Sequence, residues 1–151
     1  MKNLISILLF LAVIISTPGC TQNDGDIGPW FGTWRLEQII IDGTPDNDYN
    51  RDIIWKFQAD VISMVVVNDV THTAISSWGT WTHTDNTLTL NFTYSDTDNP
   101  AGSYKYAPPA ATYLPPAISL LQVVSLSKGE IVLEYVSEQN INYIYKLAKH
   151  G

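Results

Sequence analysis

The chain is of single-domain length and acidic. It has 151 residues, with 8 Lys and Arg against 15 Asp and Glu, a formal net charge of −7 at pH 7, and one cysteine. An acidic surface repels phosphate backbones, so nucleic-acid partners are disfavoured. A lone cysteine excludes an internal disulfide.

Residues 1–19 have the layout of a signal peptide, with a basic start at Lys2 and an apolar run from Leu4 to Ile15. The run is shorter than the ~20 residues that a membrane-spanning helix needs. The small residues before Cys20 resemble a lipobox, although most lipoboxes carry leucine where Thr17 stands. We therefore expect cleavage before Cys20 and its acylation, for example with palmitate, which would anchor the protein to the outer membrane. An ordinary secretory signal with an incidental cysteine is the alternative.

Residues 20–29 are polar and without periodicity, which is typical of a flexible tether. Asp24 and Asp26 resemble the acidic export signals that send Bacteroidetes lipoproteins to the cell surface, whereas a solvated linker is the alternative. Surface exposure and a periplasm-facing anchor both stay open. Residues 30–151 are expected to form one domain.

From Trp30 onward, β-branched and aromatic runs alternate with turn residues and predict eight strands. They cover residues 33–41, 53–58, 61–67, 74–82, 87–94, 118–127, 130–138 and 141–149. Two-residue connections such as Asp85-Asn86 fit tight hairpins, which make sequential strands antiparallel neighbours. Closure removes the two exposed edges of such a meander, so we predict an all-β fold, a single eight-stranded antiparallel up-and-down barrel.

Alternation with a period of two assigns an inward face to most strands. The predicted inward residues are Trp34, Leu36, Ile40, Ile53, Trp55, Phe57, Leu88, Leu90, Phe92, Tyr94, Ile131, Leu133, Tyr135, Ile141, Tyr143, Tyr145 and Leu147. Both faces of residues 61–67 are apolar, so that strand has no predicted orientation. The prolines of residues 95–117 exclude a central strand and predict an excursion over one barrel mouth, or else a mobile flap.

Gly32-Thr33-Trp34 resembles the Gly-x-Trp start of lipocalins. A second Gly-Thr-Trp at residues 79–81, followed by the hairpin at 85–90, is similar to the small bacterial lipocalin-like domains of Bacteroidetes lipoproteins, and residues 126–149 fit the same group. The resemblance implies an eight-stranded barrel and, for most such domains, no established ligand or reaction. The chain departs from full-length lipocalins in lacking a C-terminal helix and in its longer Pro-rich excursion.

An eight-stranded barrel is just wide enough either to be filled by side chains or to hold one small ligand. The aromatic residues of inward parity are the candidate ligand contacts: Trp34, Trp55, Trp81, Phe92, Tyr135, Tyr143 and Tyr145. We expect a small hydrophobic ligand in the barrel or at its mouth, with a filled core as the alternative. A glycan- or protein-interaction module using residues 95–117, with no internal ligand, is the second hypothesis. Trp30 fits either an exposed cluster or a plug at the barrel's end.

Asp46, Asp48, Asn50 and Asp52 alternate in the loop after the first strand and offer oxygen ligands of the kind Ca²⁺ prefers. Arg51 stands at the glycine position of an EF-hand loop, so a solvated acidic loop is the alternative interpretation.

The chain contains no G-x-S-x-G, H-E-x-x-H, C-x-x-C, P-loop or Rossmann motif. His72, His83 and His150 are far apart in sequence and are expected to be exposed. We therefore expect a protein that is not an enzyme and uses no cofactor.

Overall fold

The computed structural model describes residues 28–50, 52–92 and 107–151. The predicted signal peptide, Cys20, Asp24 and Asp26 lie outside these residues, as do Tyr94 and the first part of the Pro-rich excursion. Within the described ranges, no helix has the length and apolar character needed to cross a membrane.

Within the described residues, nine strands form one antiparallel sheet that closes on itself. They are β1 (Gly32–Ile41), β2 (Thr44–Pro45), β3 (Asp52–Gln58), β4 (Val61–Asn68), β5 (Thr73–Thr84), β6 (Thr87–Asn91), β7 (Ile118–Leu126), β8 (Glu130–Val136) and β9 (Asn142–Lys149). The strand order is β2-β1-β3-β4-β5-β6-β7-β8-β9, and β1 also pairs with β9. The eight long strands therefore close an up-and-down barrel, which confirms the predicted fold class.

β2 is the one short strand that was not predicted. It pairs back onto the end of β1 through a turn in which Asp42 has φ 46° and Gly43 has φ 83°. Positive φ at both central residues is the geometry of the tight hairpin turns that Asp-Gly favours. The Asp-Gly pair was therefore the sequence signal for this hairpin.

A β-bulge in β1 makes the prediction for Ile40 wrong. Leu36 pairs with Leu147 but Gln38 pairs with Lys146, so β1 has one more residue than β9 over this step. An extra residue reverses the inward parity beyond it. Ile39 is accordingly fully buried in the core, whereas Ile40 lies outside the core cluster.

The barrel interior is packed with large side chains. The largest fully buried ones are Trp34, Trp55, Tyr145, Phe57, Leu36, Ile39, Ile53, Ile62, Met64, Leu88, Leu90 and Leu121. β4, which the sequence left without an orientation, points Ile62 and Met64 inward. The predicted alternation is confirmed in β3, β6, β8 and β9, whose inward residues belong to this core.

Trp30 covers the end of the barrel at which β1 begins, named here the closed end. Its side chain is 4% exposed, and its ring lies 5.2 Å from the Phe57 ring and 5.8 Å from the Trp81 ring. The indole N–H of Trp30 donates to Nδ1 of His83 at 3.1 Å. Of the two roles that the sequence allows for Trp30, the structure therefore shows the plug.

Two glycines of the Gly-x-Trp motifs stand where a side chain would not fit. Gly32 has φ 115°, a backbone conformation that L residues rarely adopt, and a Cβ there would lie 2.5 Å from the Lys149 ammonium nitrogen. That ammonium group donates to the carbonyl of Phe31 and lies 4.4 Å from the centre of the Trp34 ring. At Gly79 a Cβ would lie 2.7 Å from the carbonyl oxygen of Asn91.

Candidate functional site

The opposite end of the barrel, named here the mouth, carries an apolar cavity of about 430 Å³. Val66 of β4 and Ile75 of β5 are cross-strand partners and line it. Both have the inward parity of Ile62 and Met64; Val66 is half-buried and packs against the core, whereas Ile75 is 64% exposed. The barrel therefore presents apolar side chains to the cavity at the edge of its core.

The other described wall of the cavity is formed by residues 107–111. These begin a segment, residues 107–117, that we name the strap; it contains a 3-10 helix at Ala110–Thr112 and leads into β7. Pro108, Pro109 and the three alanines of this wall have only apolar side chains, so this side of the cavity is apolar. The predicted excursion over one mouth is thus confirmed for its described part.

Buried contacts fasten the strap to the barrel. Thr112 is fully buried, and its carbonyl oxygen accepts a hydrogen bond from the Tyr145 hydroxyl at 2.7 Å. Leu114 is 6% exposed and joins the core cluster. Burial raises the pKa of Tyr145 far above its ordinary value of 10.0, so its hydroxyl stays protonated and donates at neutral pH. The cavity wall is therefore held on the barrel by core packing.

Tyr113 makes a second attachment of the strap. Its hydroxyl donates to a carboxylate oxygen of Asp46 at 2.9 Å, a bond that raises the pKa of Tyr113. Its ring stacks on the Tyr143 ring, with centroids 5.2 Å apart and an interplanar angle of 20°, and Tyr143 in turn stacks on Tyr135 at 6.0 Å. The strap is thus tied to β9 and to the loop after β2.

The family becomes recognisable from this barrel together with its sequence. A model of the lipocalin-like domain family matches residues 13–139. The chain belongs to the lipocalin-like domain family. No curated protein matches the chain.

Two solved structures, one of them of a lipocalin-like protein, share the fold. One from Bacteroides uniformis ATCC 8492 has a TM-score of 0.57 and 18% identity, covering 82% of this chain and 100% of that one. An uncharacterized protein from Bacteroides eggerthii DSM 20697 has a TM-score of 0.55 and 17% identity, covering 78% of this chain and 98% of that one. At these identities the likeness concerns the fold alone.

The aromatic residues predicted to contact a ligand all turn inward in this lipocalin-like barrel. Trp34, Trp55 and Tyr145 are fully buried, and Trp55 packs against Tyr145 with ring centroids 5.8 Å apart. Phe92, Tyr135 and Tyr143 also belong to the core cluster, and Trp81 packs against it. None of these seven residues is among the described walls of the mouth cavity. The barrel residues that line it, Val66, Ile75 and Ser77, were not among the predicted contacts.

Two of the four residues predicted as a calcium site, Asp46 and Asp52, have other partners. Asp46 accepts hydrogen bonds from the Tyr113 hydroxyl and from the backbone N–H of Asp48. Asp52 lies 3.3 Å from the Arg35 guanidinium. Among the described residues, no group of three His, Cys, Asp or Glu side chains is placed to hold a metal ion. The structure thus offers the predicted calcium site no support.

The three histidines are exposed and lie on separate parts of the barrel. His72 is in the β4–β5 turn, His83 is near the end of β5, and His150 follows β9. Only for His83 does the structure show a specific contact among the side chains described, the hydrogen bond from Trp30.

Proposed function

We propose that this lipocalin-like protein binds a small hydrophobic molecule at the barrel mouth. The observation that carries the proposal is the apolar cavity of about 430 Å³ between β4, β5 and the strap. Small-molecule sites in proteins are commonly concave, largely apolar and ~300–1,000 Å³ in volume. A lipocalin-like barrel is a fold suited to holding such a ligand, and its family members are generally binding proteins.

Because the barrel interior is packed, a ligand is better accommodated at the mouth than along the barrel axis. The rings of Trp55, Phe57 and Tyr145 fill the space between the strands. The Trp55 ring centroid lies 6.5 Å from that of Phe57 and 5.8 Å from that of Tyr145. An apolar molecule placed between them would have to displace core side chains, and close-packed cores resist such insertion at a cost of ~1–3 kcal/mol or more. At the mouth, Ile75 is already exposed, so covering it stabilises the complex.

Membrane attachment through Cys20 belongs to the same proposal. It is supported by the signal-peptide layout and by the small residues before the cysteine. Incorporation of an alkyne palmitate analogue into the native protein, but not into a Cys20→Ala variant, is the expected outcome. Equal labelling of the two proteins would contradict acylation at this position.

The binding site is tested with N-phenyl-1-naphthylamine, an uncharged apolar probe whose fluorescence rises in apolar surroundings. Ile75→Arg places a charge in the cavity, and we expect it to weaken probe binding at least about tenfold, equivalent to ~1.4 kcal/mol. Val124→Arg is the matched control, because Val124 is 57% exposed on β7 and is not among the cavity's described walls. Equal probe affinity in the two variants would contradict the proposed site.

A further inference from the structure

A second depression lies beside the mouth, where β7, β8 and β9 meet the strap. Its volume is about 450 Å³, and its lining includes Tyr113 of the strap, the start of β7, the β8–β9 turn, and Tyr135 and Tyr143, two of the residues predicted to contact a ligand. We name it the Tyr113 groove. It shares none of its described lining residues with the mouth cavity.

The groove forms where two neighbouring strands separate. Toward the mouth, the ladder between β7 and β8 ends at the pair Gln122–Glu134, although β7 begins at Ile118 and β8 continues to Val136. The side chains of Ile118 and Val136 are 56% and 51% exposed on this stretch. An apolar floor is therefore open to solvent between the strands.

Tyr113 stands over the groove in a constrained conformation. Its φ of 60° is left-handed, which costs a non-glycine residue ~1–2 kcal/mol. The surrounding contacts maintain that conformation, because Tyr113 is bonded to Asp46 and stacked on Tyr143. One ring face packs on Tyr143 while the residue stays 40% exposed, so the accessible area belongs to the other face and the edges.

The opposite rim of the groove is polar. Ser137, Glu138 and Gln139 of the β8–β9 turn line it, and Glu138 and Gln139 are exposed. Together with Asp46 behind Tyr113, Glu138 makes the described surroundings acidic, which disfavours phosphorylated or carboxylated ligands. A carboxylate and an amide are good acceptors and donors for neutral hydroxyl groups.

We propose that the Tyr113 groove binds a neutral saccharide. A pyranose ring has an apolar C–H face, which suits the accessible face of Tyr113, and a rim of hydroxyl groups, which suits Glu138 and Gln139. The shallow groove of mixed polarity differs in this respect from the apolar mouth cavity. The inference does not depend on the proposed function, because the two sites have separate walls.

The test uses four neutral oligosaccharides as probes: cellohexaose, xylohexaose, mannohexaose and maltohexaose. Each is titrated into the purified protein, with binding followed by NMR of the tyrosine ring protons. We expect at least one of them to shift the Tyr113 signals and Tyr113→Ala to weaken its binding about tenfold. Tyr113→Phe retains the ring and is expected to keep most of the affinity.

Two further variants distinguish a specific loss of saccharide binding from a general effect of removing an aromatic residue or of misfolding. Trp78→Ala removes another exposed aromatic residue, 41% accessible on β5, and should leave saccharide binding unchanged. Glu138→Ala alters an exposed turn residue with little expected effect on folding, and it should weaken binding at least threefold even if Tyr113→Ala does not fold. Failure of all four probes to shift the Tyr113 signals, or unchanged binding in Glu138→Ala, would overturn the saccharide proposal while leaving the mouth cavity untouched.

Discussion

Replacing Gly79 by alanine tests how closely β5 approaches the end of β6 and the residue that follows it. The new Cβ would lie 2.7 Å from the carbonyl oxygen of Asn91 and 2.8 Å from the Phe92 ring. These separations are below any ordinary carbon contact, and one of the two atoms belongs to the backbone, so the strands themselves must shift. Phe92 is also a core residue, 2% exposed, which limits the movement of its ring.

The expected loss in the free energy of unfolding is about 1–3 kcal/mol, the usual cost of overpacking a close-packed region. For a domain of this size that corresponds to a fall in Tm of about 3–10 °C. Differential scanning calorimetry of the variant measures both quantities. Gly129→Ala is the matched control, because a Cβ at Gly129 meets no atom within 4 Å.

We expect Gly129→Ala to leave Tm unchanged or slightly higher, since alanine restricts the unfolded chain. A Gly79→Ala variant as stable as Gly129→Ala would refute the close approach of Gly79 to Asn91 and Phe92. It would also remove the steric explanation for the second Gly-Thr-Trp sequence.

Three more predictions concern the two barrel ends. Trp30→Ala should lower the free energy of unfolding by about 3–5 kcal/mol in urea titrations, because it empties the closed end, and an effect no larger than that of Trp78→Ala would contradict the plug. Tyr145→Phe should cost about 1–2 kcal/mol in the same assay, because the buried carbonyl of Thr112 loses its donor; unchanged stability would argue against that bond. Burial raises the pKa of Tyr145, whereas unfolded tyrosines ionise near 10.0, so stability should be intact below pH 10 and fall as pH rises above it. Stability that increases in that range would contradict the burial of the Tyr145 hydroxyl.

Period-two alternation was enough to predict the barrel because most strands have one wet and one buried face. Thr89 and Leu90 show this in β6, where half-buried threonine alternates with fully buried leucine. The alternation could not predict the bulge in β1, because the extra residue becomes evident only when β1 is paired with β9. The error at Ile40 follows from that one unpredicted residue.

The candidate site was harder to predict than the fold. Val66 lies in a strand whose two faces are both apolar, so the sequence could not assign it to the mouth. Its partner Ile75 has inward parity in β5, but the sequence does not show where along the barrel axis the packed core ends. The structure shows that Ile75 lies beyond that point. The left-handed conformation of Tyr113 depends on contacts with Asp46 and Tyr143, which are distant in sequence.

The proposed function depends most on the position of an apolar ligand at the mouth. Intermolecular nuclear Overhauser effects between N-phenyl-1-naphthylamine and the methyl groups of the protein measure that position directly. We predict contacts from the probe to Val66, Ile75 and Ala111, and none to Ile39 or Leu121 in the packed interior. Contacts to Ile39 and Leu121, without contacts to Ile75, would place the ligand inside the barrel and contradict the proposed site.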